Sequence, residues 1–170
     1  MNRRSWRYDV RFMQSLFPAA EAEAAAMGEK EPGAEHLILA SLEFEEGSAR
    51  RVFDRVGVDP DEFRTAVAAQ HAAALRSIAI EEDREGIERH LPPPPERPNG
   101  VYRSAASARE VFPEVVNRVK HDKSRLSGAY ILLAASRMEH GVTARALETM
   151  GIDRNDLAAA AEAEVDALNT

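Results

Sequence analysis

Two stretches of this chain are one stretch written twice. Residues 37–63, LILASLEFEEGSARRVFDRVGVDPDEF, align without a gap on residues 131–157, ILLAASRMEHGVTARALETMGIDRNDL. The offset is 94 throughout (141 − 47 and 151 − 57), and Leu39, Ala40, Glu45, Gly47, Arg51, Gly57 and Asp59 all meet identical residues. Leu37/Ile131, Val58/Ile152 and Phe63/Leu157 are apolar exchanges, and upstream Leu16-Phe17-Pro18 resembles Val111-Phe112-Pro113 after a shift of one residue. The glycines fall where helices must end, and the apolar matches fall where helices must bury a face. Each copy holds one short apolar segment that cannot stand alone, so the economical arrangement packs the two units together about a pseudo-twofold axis.

Within the first copy, Phe12, Leu16, Ala19, Ala20 and Ala24 recur at steps of three and four, which predicts a helix from about Val10 to Met27 with Gly28 as its C-cap. Pro32-Gly33 is punctuation. Residues 35–43, EHLILASLE, are short and apolar at the centre, so periodicity does not separate a buried strand from a buried helix; the Ala, Leu and Glu content favours helix. Residues 48–57 read as a helix with Ser48 as N-cap and Gly57 just past its end. Asp59-Pro60 opens a longer one, with Glu62 in capping-box position, running through Phe63 and Val67 past Leu75. Aromatics make up only 6% of the chain, so the core must come from Leu, Ile, Val, Met and much Ala, which suits closely approaching helices. The expected fold is all-α: two pseudo-twofold-related four-helix repeats packed as one eight-helix bundle. Residues 1–9 form a basic arm carrying Trp6 and Tyr8, which either packs on the body or engages a partner; 10–80 are the first repeat; 81–103 a Pro-rich charged linker; and 104–170 the second repeat.

Several function classes are expected to be absent. Acidic residues outnumber basic ones 29 to 22, giving −7, a balance unsuited to nonspecific nucleic-acid or anionic-membrane binding. There is no cysteine, hence no disulfide or thiolate chemistry. No run approaches the roughly 20 apolar residues of a membrane span, and Arg3, Arg4 and Arg7 precede no apolar stretch, so a cytoplasmic location is expected. No G-x-x-x-x-G-K-[ST] occurs, so no nucleotide hydrolysis and no cofactor are expected. His36, His71, His90, His121 and His140 show neither H-x-x-x-H nor H-E-x-x-H, so no metal is expected, and His36 reads as a capping or core-edge residue beside Glu35. No serine sits in G-x-S-x-G, and no catalytic set can be assembled. Glu45-Glu46 read as solvated helix-end charge, and Arg50-Arg51 with Arg55 as a basic strip facing solvent.

The pattern Gly33, Glu35-His36-Leu37-Ile38-Leu39, then Glu46-Gly47-Ser48-Ala49, Val52-Phe53 and Val56-Gly57-Val58-Asp59 resembles the repeat of the Clp N-terminal domain. That domain precedes the ATPase rings of Clp-type bacterial unfoldases. The second copy is Gly128-Ala129-Tyr130-Ile131-Leu132-Leu133, Gly141, Ala146-Leu147 and Met150-Gly151-Ile152-Asp153. The resemblance covers roughly 10–80 and 104–168. It implies an eight-helix bundle that receives substrates or adaptors for the ATPase. In some members each repeat also holds a pocket for phosphorylated arginine, built from a Thr near the start of the first helix and the Glu of a Thr-Glu-His motif. Here the carboxylate is Glu35, the preceding Thr is replaced by Ala34, the helix-1 Thr aligns near Val10, and in the second copy the Glu is replaced by Ala129. Since a guanidinium needs a carboxylate for bidentate pairing, the resemblance leaves one peptide or phosphoarginine site, at Glu35, Ala34 and Val10. The implied function is a non-enzymatic protein- or peptide-binding module, adaptor- or decoy-like, in Clp-dependent quality control, with Clp unfoldase or protease components or marked substrates as partners. A second reading is a helical regulatory or structural partner that kept the fold and lost substrate recognition.

Overall fold

The computed structural model describes residues 3–85 and 105–169, with side chains described for 7–76 and 105–169. Among these residues every regular element is helical: α1 (Arg3–Ala26), α2 (Ala34–Leu42), α3 (Ser48–Arg55), α4 (Glu62–Glu85), α5 (Ala106–Asp122), α6 (Gly128–Ala135), α7 (Val142–Thr149) and α8 (Arg154–Asn169). Helices α1–α4 and α5–α8 are the two copies of the repeat, and α1 and α5 carry internal prolines, Pro18 and Pro113, at the matched place.

Two boundaries differ from the sequence reading. α1 begins at Arg3, ahead of the Val10 start given by the apolar steps, because a helix can extend beyond its buried stripe. α4 continues to Glu85, five residues into the segment read as linker. Residues 86–104 and the side chain of Trp6 lie outside the described residues.

The ambiguous segment is helical, and so is its twin. Every residue of α2 and of α6 is buried. A helix packed on all sides carries no one-sided stripe, which is why periodicity is silent there. The matched Leu39 and Leu133 are 2% and 3% exposed, and Phe53, Phe63, Leu147 and Leu157 are likewise buried around them. At roughly 1.5–3 kcal/mol for each large side chain withdrawn from water, these two helices organise the core. α1 packs on α2 and α5 on α6, whereas α4 crosses to α7 and α8 to α3, so each repeat closes over the other.

The helix ends follow the repeat as well. Asp59 Oδ1 accepts the Asp61 N–H at 2.9 Å, and Asp153 Oδ1 accepts the Asn155 N–H at 2.7 Å. α1 ends at Gly28 with φ +79°, and the Glu29 N–H reaches back to the Ala24 carbonyl at 2.8 Å. At the end of α5 the left-handed place falls to Lys123, φ 54°, with the Ser124 N–H on the Val119 carbonyl at 3.2 Å. The expected N-cap of α3 moves back by one residue: Gly47 is the cap, and Ser48 is the first helical residue.

Candidate functional site

The first turn of α2 carries two of the three residues expected to form the site. The Glu35 carboxylate folds back over Gly33, where an added Cβ would meet Glu35 Oε1 at 2.2 Å, so a side chain at position 33 would push the carboxylate aside. Glu35 is 6% exposed, and its Oε2 accepts the Thr143 hydroxyl of α7 at 3.0 Å. The Ala34 N–H donates to Ser107 Oγ of α5 at 3.1 Å, and the Gly33 N–H donates to His36 Nδ1 at 2.9 Å. Val10, the third expected residue, lies half-buried on α1, which packs on α2. Ala34 and Val10 bring no side-chain donor, so Glu35 is the polar group of this set, and it is already held by the second repeat.

The start of α6 is served the same way from the first repeat. Glu46 Oε1 accepts the Gly128 N–H at 2.7 Å and the Ser48 hydroxyl at 2.8 Å, its Oε2 accepts the Ser48 N–H at 3.1 Å, and Ser48 Oγ accepts the Ala129 N–H at 2.9 Å. Asp9 Oδ1 adds a bond from the Leu126 N–H at 2.8 Å. Glu46 is therefore a cross-repeat cap rather than solvated charge. The basic strip faces solvent as expected, but its guanidinium groups also reach partners in the body. Arg51 and Arg55 both grip Glu164 of α8, which is 3% exposed, with Arg55 Nε and Nη2 at 3.2 and 3.1 Å from Oε2. Arg50 Nε donates to the Leu42 carbonyl at 2.8 Å.

One grouping escaped the sequence. Glu35, His36 and His71 each place one possible ligand atom within 4.8 Å of the others. The His36 and His71 rings stack with centroids 5.9 Å apart, and His71 Nδ1 lies 3.0 Å from Glu29 Oε1. Burial holds the His36 imidazole below its ordinary pKa; Glu35 opposes that shift, and His71 reinforces it. His36 and His71 are 35 positions apart, so no spacing motif could have paired them. In the second repeat Glu110, Arg137, Met138, Glu139 and His140 line a polar cleft of about 370 Å³.

Among the described residues the chain is an all-helical bundle of two interlocked repeats. The model of the Clp repeat (R) N-terminal domain matches residues 11–94. No curated protein gives a significant match. Among solved structures, the N-terminal domain of the caseinolytic protease associated chaperone ClpD from Arabidopsis thaliana is similar at 17% identity and a TM-score of 0.56, over 95% of this chain and 96% of that one. Residues 11–94 thus carry the Clp repeat N-terminal domain signature, and the fold shared with the ClpD domain runs through both repeats. No helix among the described residues is long and apolar enough to cross a membrane.

Proposed function

We propose that the chain is a non-catalytic protein- or peptide-binding module, adaptor- or decoy-like, working in Clp-dependent proteolysis in the cytoplasm. The observation that carries this reading is the retention of the family fold across both repeats, joined to the family match over residues 11–94. Its partners are Clp unfoldase or protease components, or marked substrates. Any arginine-type mark enters beside Glu35, flanked by Ala34 and Val10, because Ala129 offers no charge in the second repeat.

One observation favours the second reading, a helical partner protein without substrate recognition. The Glu35 carboxylate is buried and already bonded to Thr143, so a ligand must displace that contact. Affinity capture from a bacterial lysate separates the two, with the parent and Glu35→Ala as baits and free phosphoarginine as competitor. Clp components or degradation substrates, retained by the parent and released by phosphoarginine or by the substitution, support the marked-substrate site. Clp components held equally by both baits support a module that grips its partner elsewhere. A single partner outside proteolysis, indifferent to both treatments, overturns the first reading.

A further inference from the structure

Between α2 and α4 two imidazole rings face one another across a narrow gap. His36 is 1% exposed, His71 is mostly enclosed, and the Nε2 of each is buried with no hydrogen-bond partner among the described residues. A buried polar atom left unpaired is costly, and each of the two touching rings leaves one. The remaining nitrogens show what each ring presents. His36 Nδ1 accepts the Gly33 N–H at 2.9 Å, which places the ring proton on Nε2. His71 Nδ1 faces Glu29 Oε1 at 3.0 Å, which holds the proton there and leaves Nε2 with a bare lone pair. A histidine whose Nδ1–H rests on a carboxylate while Nε2 is free is oriented as metal-bound histidines are.

We propose that Glu35, His36 and His71 form a binding site for one divalent transition-metal ion of the zinc class. One possible ligand atom on each of the three already lies within 4.8 Å of the others. Tetrahedral bonds of about 2.0–2.1 Å set ligand atoms about 3.3 Å apart, so closure asks for movements of about 1 Å. His36 joins through Nε2 by moving its proton to Nδ1, where Glu35 Oε1 at 3.4 Å can accept it, and the Gly33 N–H gives up its bond to that nitrogen. Two imidazoles with one carboxylate select zinc-class ions over magnesium and calcium, which prefer all-oxygen shells. The second repeat is the internal control. At the same offset of 94 its residues are Ala129, Tyr130 and Val165, none of them a comparable ligand, and there α8 packs broadly on α6, whereas α4 touches α2 at few places. The ion would tie α2 to α4 where direct packing is thin.

The test is a calorimetric titration of the whole chain, freed of metal by chelator, with Zn2+ and separately with Mg2+. One equivalent of Zn2+ should bind per chain and Mg2+ should not. His71→Ala removes a ligand near the surface and should weaken Zn2+ binding by more than about 100-fold, with an unchanged far-ultraviolet spectrum. Glu29→Gln, which disturbs only the orientation of His71, should cost about 10–100-fold and serves as the deciding variant if His71→Ala does not fold. Absence of Zn2+ binding by the parent overturns the proposal, since water alone then bridges the two rings. Binding that ignores both substitutions, or that Mg2+ matches, overturns it equally.

Discussion

α2 begins on Glu35 and His36, and α6 begins on Ala129 and Tyr130. The two helices are alike in length and burial, so the difference bears on how a buried helix start is satisfied. At α2, His36 accepts the Gly33 N–H from within its own motif, and Ser107 of the second repeat accepts the Ala34 N–H. At α6 the motif itself supplies no acceptor, and Glu46, Ser48 and Asp9 reach across from the first repeat. Where the α6 motif lacks an acceptor, the first repeat supplies one. The first N–H groups of a helix cannot stay unpaired in a dry interior. Each repeat therefore supplies part of the other's secondary structure, and their interlock is polar as well as apolar.

The largest expected effect tests whether the two centres are equivalent. Leu39→Asp and Leu133→Asp each place an unpaired charge where the parent side chain is almost wholly enclosed. Each should cost more than about 4 kcal/mol, a large part of the roughly 5–15 kcal/mol that holds a domain together. Urea unfolding of the two variants checks this. A midpoint near the parent's for either one breaks the equivalence, and with it the assignment of that helix to the centre.

What could be read in advance was what the chain encodes locally. The glycine stops, the aspartate caps at Asp59 and Asp153, and the apolar segments that became α2 and α6 all depend on neighbours within a few residues. The features missed depend on partners far along the chain. Nothing around Glu46 announces Gly128 as its donor, and nothing around Arg51 and Arg55 announces Glu164, a carboxylate inside a helix whose neighbours look ordinary. Glu46 reads as solvated because a charge without a local partner looks solvated, whereas Arg51 and Arg55 are exposed as expected and only their partner is hidden from the sequence. The same holds at the candidate site: Glu35 and His36 stand out as adjacent residues, but Thr143 and His71 meet them only once three helices, α2, α4 and α7, have packed.

The cross-repeat cap gives the middle-sized effect. Glu46→Ala removes an acceptor of three hydrogen bonds, while the adjacent Glu45 is exposed and has a matched twin in Glu139. Thermal or urea unfolding should find Glu46→Ala destabilised by about 1–3 kcal/mol and Glu45→Ala within about 0.5 kcal/mol of the parent. Equal values for the two neighbours would mean that α6 finds another acceptor for its first N–H groups, and the exchange of caps between repeats would lose its energetic meaning.

The smallest effect concerns the ends of α1 and α5, where the copies differ by one residue type at one backbone shape. Gly28 and Lys123 both sit in the left-handed region, at φ +79° and 54°. An L-residue with a side chain pays about 1–2 kcal/mol there, and glycine does not. Glycine in turn makes the unfolded chain more flexible, which removes about 0.4–1 kcal/mol of that advantage. Lys123 is exposed, so its side chain leaves little packing to lose. Lys123→Gly should therefore stabilise the protein by about 0.5–1 kcal/mol, a rise of roughly 2–4 °C or less in Tm for a chain of this size. Gly28→Ala should move the other way by a similar amount, and the strain alone must be the cause, because no atom lies within 4 Å of the added Cβ. Calorimetric melts of the two variants beside the parent resolve shifts of this size. Opposite signs confirm that the second repeat carries a strained helix end that the first avoids. If Lys123→Gly melts lower than the parent, the ammonium group contributes more at the C-terminal end of α5, through attraction to its last carbonyls, than the backbone strain costs.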